Sequence, residues 1–222
     1  MPEPVVLPII GKTGQPFPNR FFRQEPATTA LAVIFPGMGY NTDMPLLYYT
    51  GLMLRMHGAD VLQVRADYMA AGFQSLSPEE RLGRLAADAS TGIAGGLAQG
   101  DYQQLILAGK SIGTLSMALA LQLVDLPQPP VTIWLTPLFR ESLLVEAAAE
   151  CQAPSLFIAG TGDPTYIPAA MTFIQKRIPA RVHLVEKANH SLETPDDPYQ
   201  SLDNLKETMR VLSNFLDEVM VA

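Results

Sequence analysis

Short apolar runs alternate along this chain with longer stretches in which apolar residues recur every three or four positions. The runs are Leu31–Phe35, Asp60–Arg65, Leu105–Ala108, Val131–Leu135, Ser155–Ala159 and Arg181–Glu186. Each is too short for a helix and rich in strand formers, so each predicts a strand, the most continuous of them buried on both faces. Between them lie helical patterns. Leu46, Leu47, Met53 and Met56 share a face behind Pro45, with Gly58 as the end; Leu82, Leu85, Ala86, Ala89 and Ile93 share another, which Gly95-Gly96 and Gly100 are expected to close. Further helices are predicted over Leu115–Val124, Arg140–Glu150, about Pro168–Lys176, and from Pro198 onward. In the last, Leu202, Leu205, Met209, Leu212, Leu216 and Val219 form one stripe. The first 29 residues are less regular. Val5–Ile10 is broken by Pro8 and Arg20–Arg23 is short, which suggests a peripheral hairpin.

Local signals sharpen this pattern. Ser77-Pro78-Glu79-Glu80 is a capping box with proline at the first helical position, where its missing N–H costs nothing. Strand and helix alternate from Leu31 to the end, with no repeat and no linker. The expectation is one domain over 1–222, an α/β protein with a mostly parallel twisted sheet of about seven strands and helices on both faces. In such sheets ligands gather at the carboxyl ends of the strands. Chemistry is therefore expected in the loops after Phe35, Arg65, Ala108, Leu135, Ala159 and Glu186.

One of those loops stands out. Leu105–Ala108 runs into Gly109-Lys110-Ser111-Ile112-Gly113 and then into an apolar helix. G-x-S-x-G on a strand-to-helix turn is the nucleophile elbow, in which a tight backbone presents a serine hydroxyl at the head of a sheet. The glycines serve the close approach of strand and helix. Asp163 lies 52 residues beyond Ser111, after another strand, and His190 lies 27 residues beyond Asp163, after the last. Serine hydrolysis needs these parts: a hydroxyl, an imidazole to take its proton, and a carboxylate to fix the imidazole's tautomer and stabilise its cation. Taken singly, Ser111 also suits a plain turn and Asp163 a cap before Pro164. His57, near a helix end, and His183, within a strand, are the other histidines, and neither occupies a strand-end loop. A phosphate-loop reading of Gly109-Lys110-Ser111 fails because that motif wants glycine where the chain has Gln104. Lys110 then reads as a solvated neighbour of the site, and Arg140 as solvated rather than steering a carboxylate.

Composition narrows the partners. The net charge of −7 argues against nucleic acid or an anionic membrane as the main partner. Cys151 is the only cysteine, so no internal disulfide and no cysteine metal cluster can form; it reads as an inert small residue. The start carries no basic segment before an apolar core, and no apolar run reaches the ~18 residues of a membrane span. The expectation is a cytoplasmic protein that needs no cofactor and no metal, acts on a small molecule, and leaves a homodimer open.

GKSIG, GTGDP and ANHS, in that order, resemble the elbow, acid loop and histidine loop of the α/β-hydrolases, from about Leu31 to the C-terminus. The resemblance is to lid-less bacterial members near the dienelactone-hydrolase branch, which often place cysteine where this chain has Ser111. It implies Ser111 as nucleophile, Asp163 as acid and His190 as base. It also implies an oxyanion hole from the amides of Ile112 and of the loop after the first core strand. Many members carry His-Gly in that loop; here it is Pro36-Gly37-Met38-Gly39, and Met38 is the expected second amide. Only Phe139–Pro154 separates the strand after the elbow helix from the acid strand, too little for a cap domain, so an open site is implied. Its walls are expected from Tyr40, Tyr68, Met69, Phe73, Leu138, Phe139 and Tyr166. The implied activity is hydrolysis of a small ester or thioester through an acyl-enzyme. Acyl transfer on the same triad and a non-catalytic scaffold on the same fold are the alternatives.

Overall fold

The strands and helices follow one another in the expected alternation in the computed structural model, which describes residues 3–126 and 128–220. The strands are β1 (Asn19–Phe22), β2 (Ala30–Phe35), β3 (Asp60–Val64), β4 (Gln104–Lys110), β5 (Val131–Leu135), β6 (Ser155–Gly160) and β7 (Ala180–Val185). The helices are α1 (Pro45–Met56), α2 (Ala71–Gln74), α3 (Pro78–Leu97), α4 (Ile112–Leu123), α5 (Ser142–Glu150), α6 (Pro168–Gln175) and α7 (Pro198–Val219). The strands form one seven-stranded sheet in the order β1-β3-β2-β4-β5-β6-β7. β1 pairs antiparallel with β3, and the remaining pairs are parallel.

Period-two alternation divides the core between the two faces of the sheet. Along β2, Leu31, Val33 and Phe35 pack with α3 and α4, in a core that extends to α5 and α6, while Ala30, Ala32 and Ile34 face the other side, whose core includes α1 and α7. Both faces being covered is why β2 reads as an uninterrupted apolar run. The order of strands reverses at β2: the chain moves outward to β3, then returns to place β4 on β2's other side. The loops after β2 and β4 therefore part at this switch point and leave a crevice between them.

Two local expectations differ from the structure. Gly95 and Gly96 do not end α3, which continues to Leu97. A Cβ on Gly96 would lie 3.0 Å from the Leu31 side chain, and one on Gly92 equally close to Val64. These glycines let the helix sit close on β2 and β3, so their role is packing. The predicted capping box is present, with Ser77 and Glu80 each satisfying the other's backbone N–H. In α7 the stripe begins later than expected. Leu202 is 64% exposed, because the first turns of α7 lie beside the 189–198 loop rather than on the sheet. Phe215, outside the expected stripe, is buried with Met209, Leu212 and Leu216. The N-terminal segment docks on the sheet edge through a bridge between Val5 and Phe21 and through the Asn19 side chain, which bonds Leu7 at both its N–H and its carbonyl. Among the described residues no helix is long and apolar enough to cross a membrane.

Candidate active site

β4 ends at Lys110 and α4 begins at Ile112, so the whole turn of direction falls on Ser111. Its backbone takes φ 54° and ψ −120°, a region that side chains with a Cβ rarely occupy. The surroundings enforce this conformation. The Ser111 N–H donates to the Leu135 carbonyl at 3.0 Å, and the Ser111 carbonyl accepts from the Thr114 N–H at 2.9 Å. A Cβ on Gly113 would stand 2.4 Å from the Phe35 carbonyl oxygen, and one on Gly109 would stand 2.6 Å from that of Gly113. Only glycine fits at either place, as the pattern had suggested. Strained non-glycine residues gather at this end of the sheet: Ser111, Thr136 after β5 and Lys187 after β7 all have positive φ.

Asp163 follows β6 and His190 follows β7, and the two meet. His190 Nδ1 lies 2.7 Å from Asp163 Oδ2. A carboxylate only accepts, so Nδ1 carries the proton and Nε2 is left as the basic nitrogen. The Asp163 side chain is buried, whereas the imidazole is one-third exposed. Burial pushes the Asp163 carboxyl up, but hydrogen bonds from His190 and from the Thr165 amide and hydroxyl outweigh it, leaving the group below the ordinary carboxylate range. Two glycines bring the acid and histidine loops together. A Cβ on Gly160 would lie 2.1 Å from the Ala188 oxygen, and the Gly162 N–H donates to that oxygen at 3.0 Å.

Thr165 escaped the sequence reading. Its hydroxyl donates to Asp163 Oδ1 at 2.8 Å and lies 3.3 Å from His190 Nδ1. Its position two residues after an aspartate was the available signal, since such pairs close local turns. Lys110 departs from the expected solvated position. It is 1% exposed, not solvated, and its Nζ donates to the His190 carbonyl at 3.0 Å. That bond draws the histidine loop over the elbow. Arg140 is exposed, as expected, and donates to the Pro164 carbonyl of the acid loop at 2.9 Å. His57 caps the end of α1, His183 lies in β7 and Cys151 is buried at the end of α5, all as read from sequence.

Burial pushes the Lys110 ammonium down to about 8, against the partial support of Asp163 and Glu193. The unfolded chain keeps its lysine near the ordinary value, so between about pH 8 and 10.5 the unfolded state binds more protons and stability rises with pH. Lys110→Met removes this dependence. The unfolding free energy of the wild type relative to Lys110→Met is expected to climb by on the order of 3 kcal/mol over that window, in denaturant titrations at successive pH values. A difference independent of pH would count against the buried charge.

The expected walls divide into two groups. Tyr68 and Phe139 are 2% and 3% exposed and belong to the core. Tyr68 packs on Phe73, with its hydroxyl 3.5 Å from Asp88, and Phe139 packs between Phe157 and Tyr166. Phe73 is buried too. Aromatic side chains in a loop are open to either fate, and here the apolar face of α3 and the β5–β6 region take them in. Tyr40, Leu138 and Tyr166 are part-exposed, and Met69 is exposed beside Gly39. In the loop after β2, the Gly37 N–H and carbonyl bond Tyr40, leaving the Met38 amide outside that bridge. Ile112 heads α4, where the helix dipole favours negative charge.

An esterase from Butyrivibrio proteoclasticus, Est1E with ferulic acid bound, superposes with a TM-score of 0.71 at 14% identity, covering 96% of this chain and 98% of its own. A serine hydrolase without lid from Xanthomonas campestris gives 0.71 at 18% identity, covering 100% and 98%. The chain has the α/β-hydrolase fold. A dienelactone hydrolase from Anabaena variabilis also matches, at 0.71 and 17% identity over 98% and 99% of the two chains. Neither a protein-family model nor a curated relative matches the sequence. Among the described residues, α5 is the one element in the stretch between β5 and β6.

Proposed function

We propose that the protein is a serine hydrolase that cleaves a small ester or thioester through an acyl-enzyme, with Ser111 as nucleophile, His190 as base and Asp163 as its partner. The observation that carries this reading is the 2.7 Å contact between His190 Nδ1 and the buried Asp163 carboxylate, on loops adjoining a serine held at φ 54° on the elbow. Strain of that kind persists only where the surroundings over-determine it, and it clusters at functional sites. In the proposed reaction Ser111 Oγ attacks the acyl carbon while its proton passes to His190 Nε2. The Met38 and Ile112 amides receive the developing oxyanion. The imidazolium then protonates the leaving group, and water, activated by the same nitrogen, releases the acid.

The neighbours named as an esterase, a serine hydrolase and a dienelactone hydrolase support hydrolysis in general terms. The part-exposed Tyr40, Leu138 and Tyr166, with exposed Met69, suit a small acyl or aromatic group in an open site. A panel of p-nitrophenyl esters and acyl thioesters graded by chain length tests the proposal. Turnover well above buffer, with a preference for short acyl chains, is expected. Rates no different from buffer across the panel would remove it. Competing alcohol or amine acceptors in the same assay report acyl transfer as a new ester or amide.

A further inference from the structure

A lysine with a single long apolar stem would pack as well without its charge, yet Lys110 places an ammonium in the interior beneath the proposed site. It is among the largest fully buried side chains of the protein. Burying an unpaired charge is costly, and only specific partners offset it. Its partners lie on different loops. Nζ donates to the His190 carbonyl at 3.0 Å, after β7. It also sits 4.4 Å from the centre of the Tyr40 ring, after β2, as a cation over a π face. The charges of Asp163 and Glu193 act on it from the loops after β6 and β7. Lys110 itself precedes the elbow serine, and its own carbonyl lies close beneath Gly37. One cation therefore joins the elbow to the histidine loop and to the loop of the expected oxyanion amide.

We propose that Lys110 is a positioning residue: through its bond to the His190 carbonyl it holds the histidine loop at the height where the imidazole serves both Asp163 and Ser111. The imidazole is fixed at its far side by Asp163, while the backbone of the same residue needs a separate anchor. Asn189 Oδ1 accepts from the Ser191 and Glu193 amides and shapes the turn. Among the described residues, Lys110 is the donor to the His190 carbonyl. With that donor gone, the ring can still pair with Asp163, but its loop loses that tie to the elbow, on which the Nε2–hydroxyl contact of the proposed reaction depends. A displacement of about 1 Å at such a contact costs on the order of 10²-fold in rate.

The inference rests on the hydrolase reading above, and the test separates the two. In Lys110→Met, kcat for the best ester of the panel is expected to fall roughly 10- to 100-fold with KM within about twofold, and fluorophosphonate labelling of Ser111 to slow by a similar factor. The downfield proton resonance of His190 Nδ1, read by NMR, should broaden or exchange faster while the rest of the spectrum stays folded. Lys110→Arg, which keeps a cationic donor, should recover part of the loss. Wild-type rates and an unchanged His190 resonance in folded Lys110→Met would overturn the inference and leave the hydrolase reading standing. A fall in kcat with that resonance unchanged would also overturn it, since the lysine would then act elsewhere. Absent esterase activity and labelling in the wild type would sink the hydrolase reading instead, and the NMR arm would still decide whether Lys110 positions His190. Should Lys110→Met not fold, the wild type suffices. As the Lys110 Nζ resonance titrates, the His190 Nδ1 proton is expected to shift with the same midpoint, and its failure to move would reject the coupling.

Discussion

Ser111→Ala is expected to abolish covalent labelling by a fluorophosphonate probe and to lower ester hydrolysis by at least about 10³-fold. The hydroxyl supplies the bond to the acyl group, and nothing else in the elbow can replace it, since Lys110 Nζ is held below by the His190 carbonyl. What remains would come from water activated by His190 and from the oxyanion amides. The fold should be unaffected, because alanine keeps the Cβ that serine already forces into φ 54°. Ser111→Gly carries the argument further. Glycine adopts this backbone without steric strain, and its larger unfolded-state entropy offsets only part of the relief, so it should lose the same activity while gaining roughly 1 kcal/mol of stability, seen as a higher denaturation midpoint. A glycine variant no more stable than wild type would mean that the elbow stores no strain. An alanine variant with unchanged turnover would remove Ser111 from the mechanism altogether.

Asp163→Asn is the second large effect. The carboxylate accepts the Nδ1 proton of His190 and thereby leaves Nε2 free to take the proton of Ser111. An asparagine can present its NH₂ to Nδ1 and so favour the opposite tautomer, with Nε2 protonated and unable to act as base. The pair is buried on the Asp163 side, so little solvent is at hand to correct the tautomer. A loss of kcat on the order of 10⁴-fold is expected, with KM little changed. Thr165 sharpens the test. Its hydroxyl and amide both bond Asp163 Oδ1, so the side chain stays in place when its charge is removed. A small effect would show that His190 is oriented by something other than Asp163.

How much of this could be read in the chain before the fold was seen depends on the range of each interaction. The six core strands and the capping box of α3 were legible because they are local: continuous apolar runs and a four-residue hydrogen-bond pattern carry their own structure. The strand-end loops with Ser111, Asp163 and His190 followed from the same alternation, because a parallel sheet sends every such loop to one edge. The glycines of α3 were misread for the opposite reason. Gly95 and Gly96 look like a helix end in sequence, and only the approach of α3 to Leu31 and of the N-terminal Ile9 side chain explains them.

The opening pattern of apolar runs and helical stripes by itself determined an α/β sheet and the order in which a serine, an acid and a histidine reach its carboxyl edge. The sequence alone also determined that residues 109 and 113 must be glycine, since a strand turning into a helix within five residues leaves no room for a Cβ. What it left open is which loop side chains face solvent. Tyr68 and Phe139 entered the core, Leu202 left it, and Lys110 was taken inside beside the site. Burial is decided by neighbours that lie far away in sequence: Asp88 for Tyr68, Phe157 for Phe139, and His190, 80 residues on, for Lys110. A lysine in a turn looks the same on paper whether water or a distant carbonyl receives its charge, and only the tertiary structure made that choice.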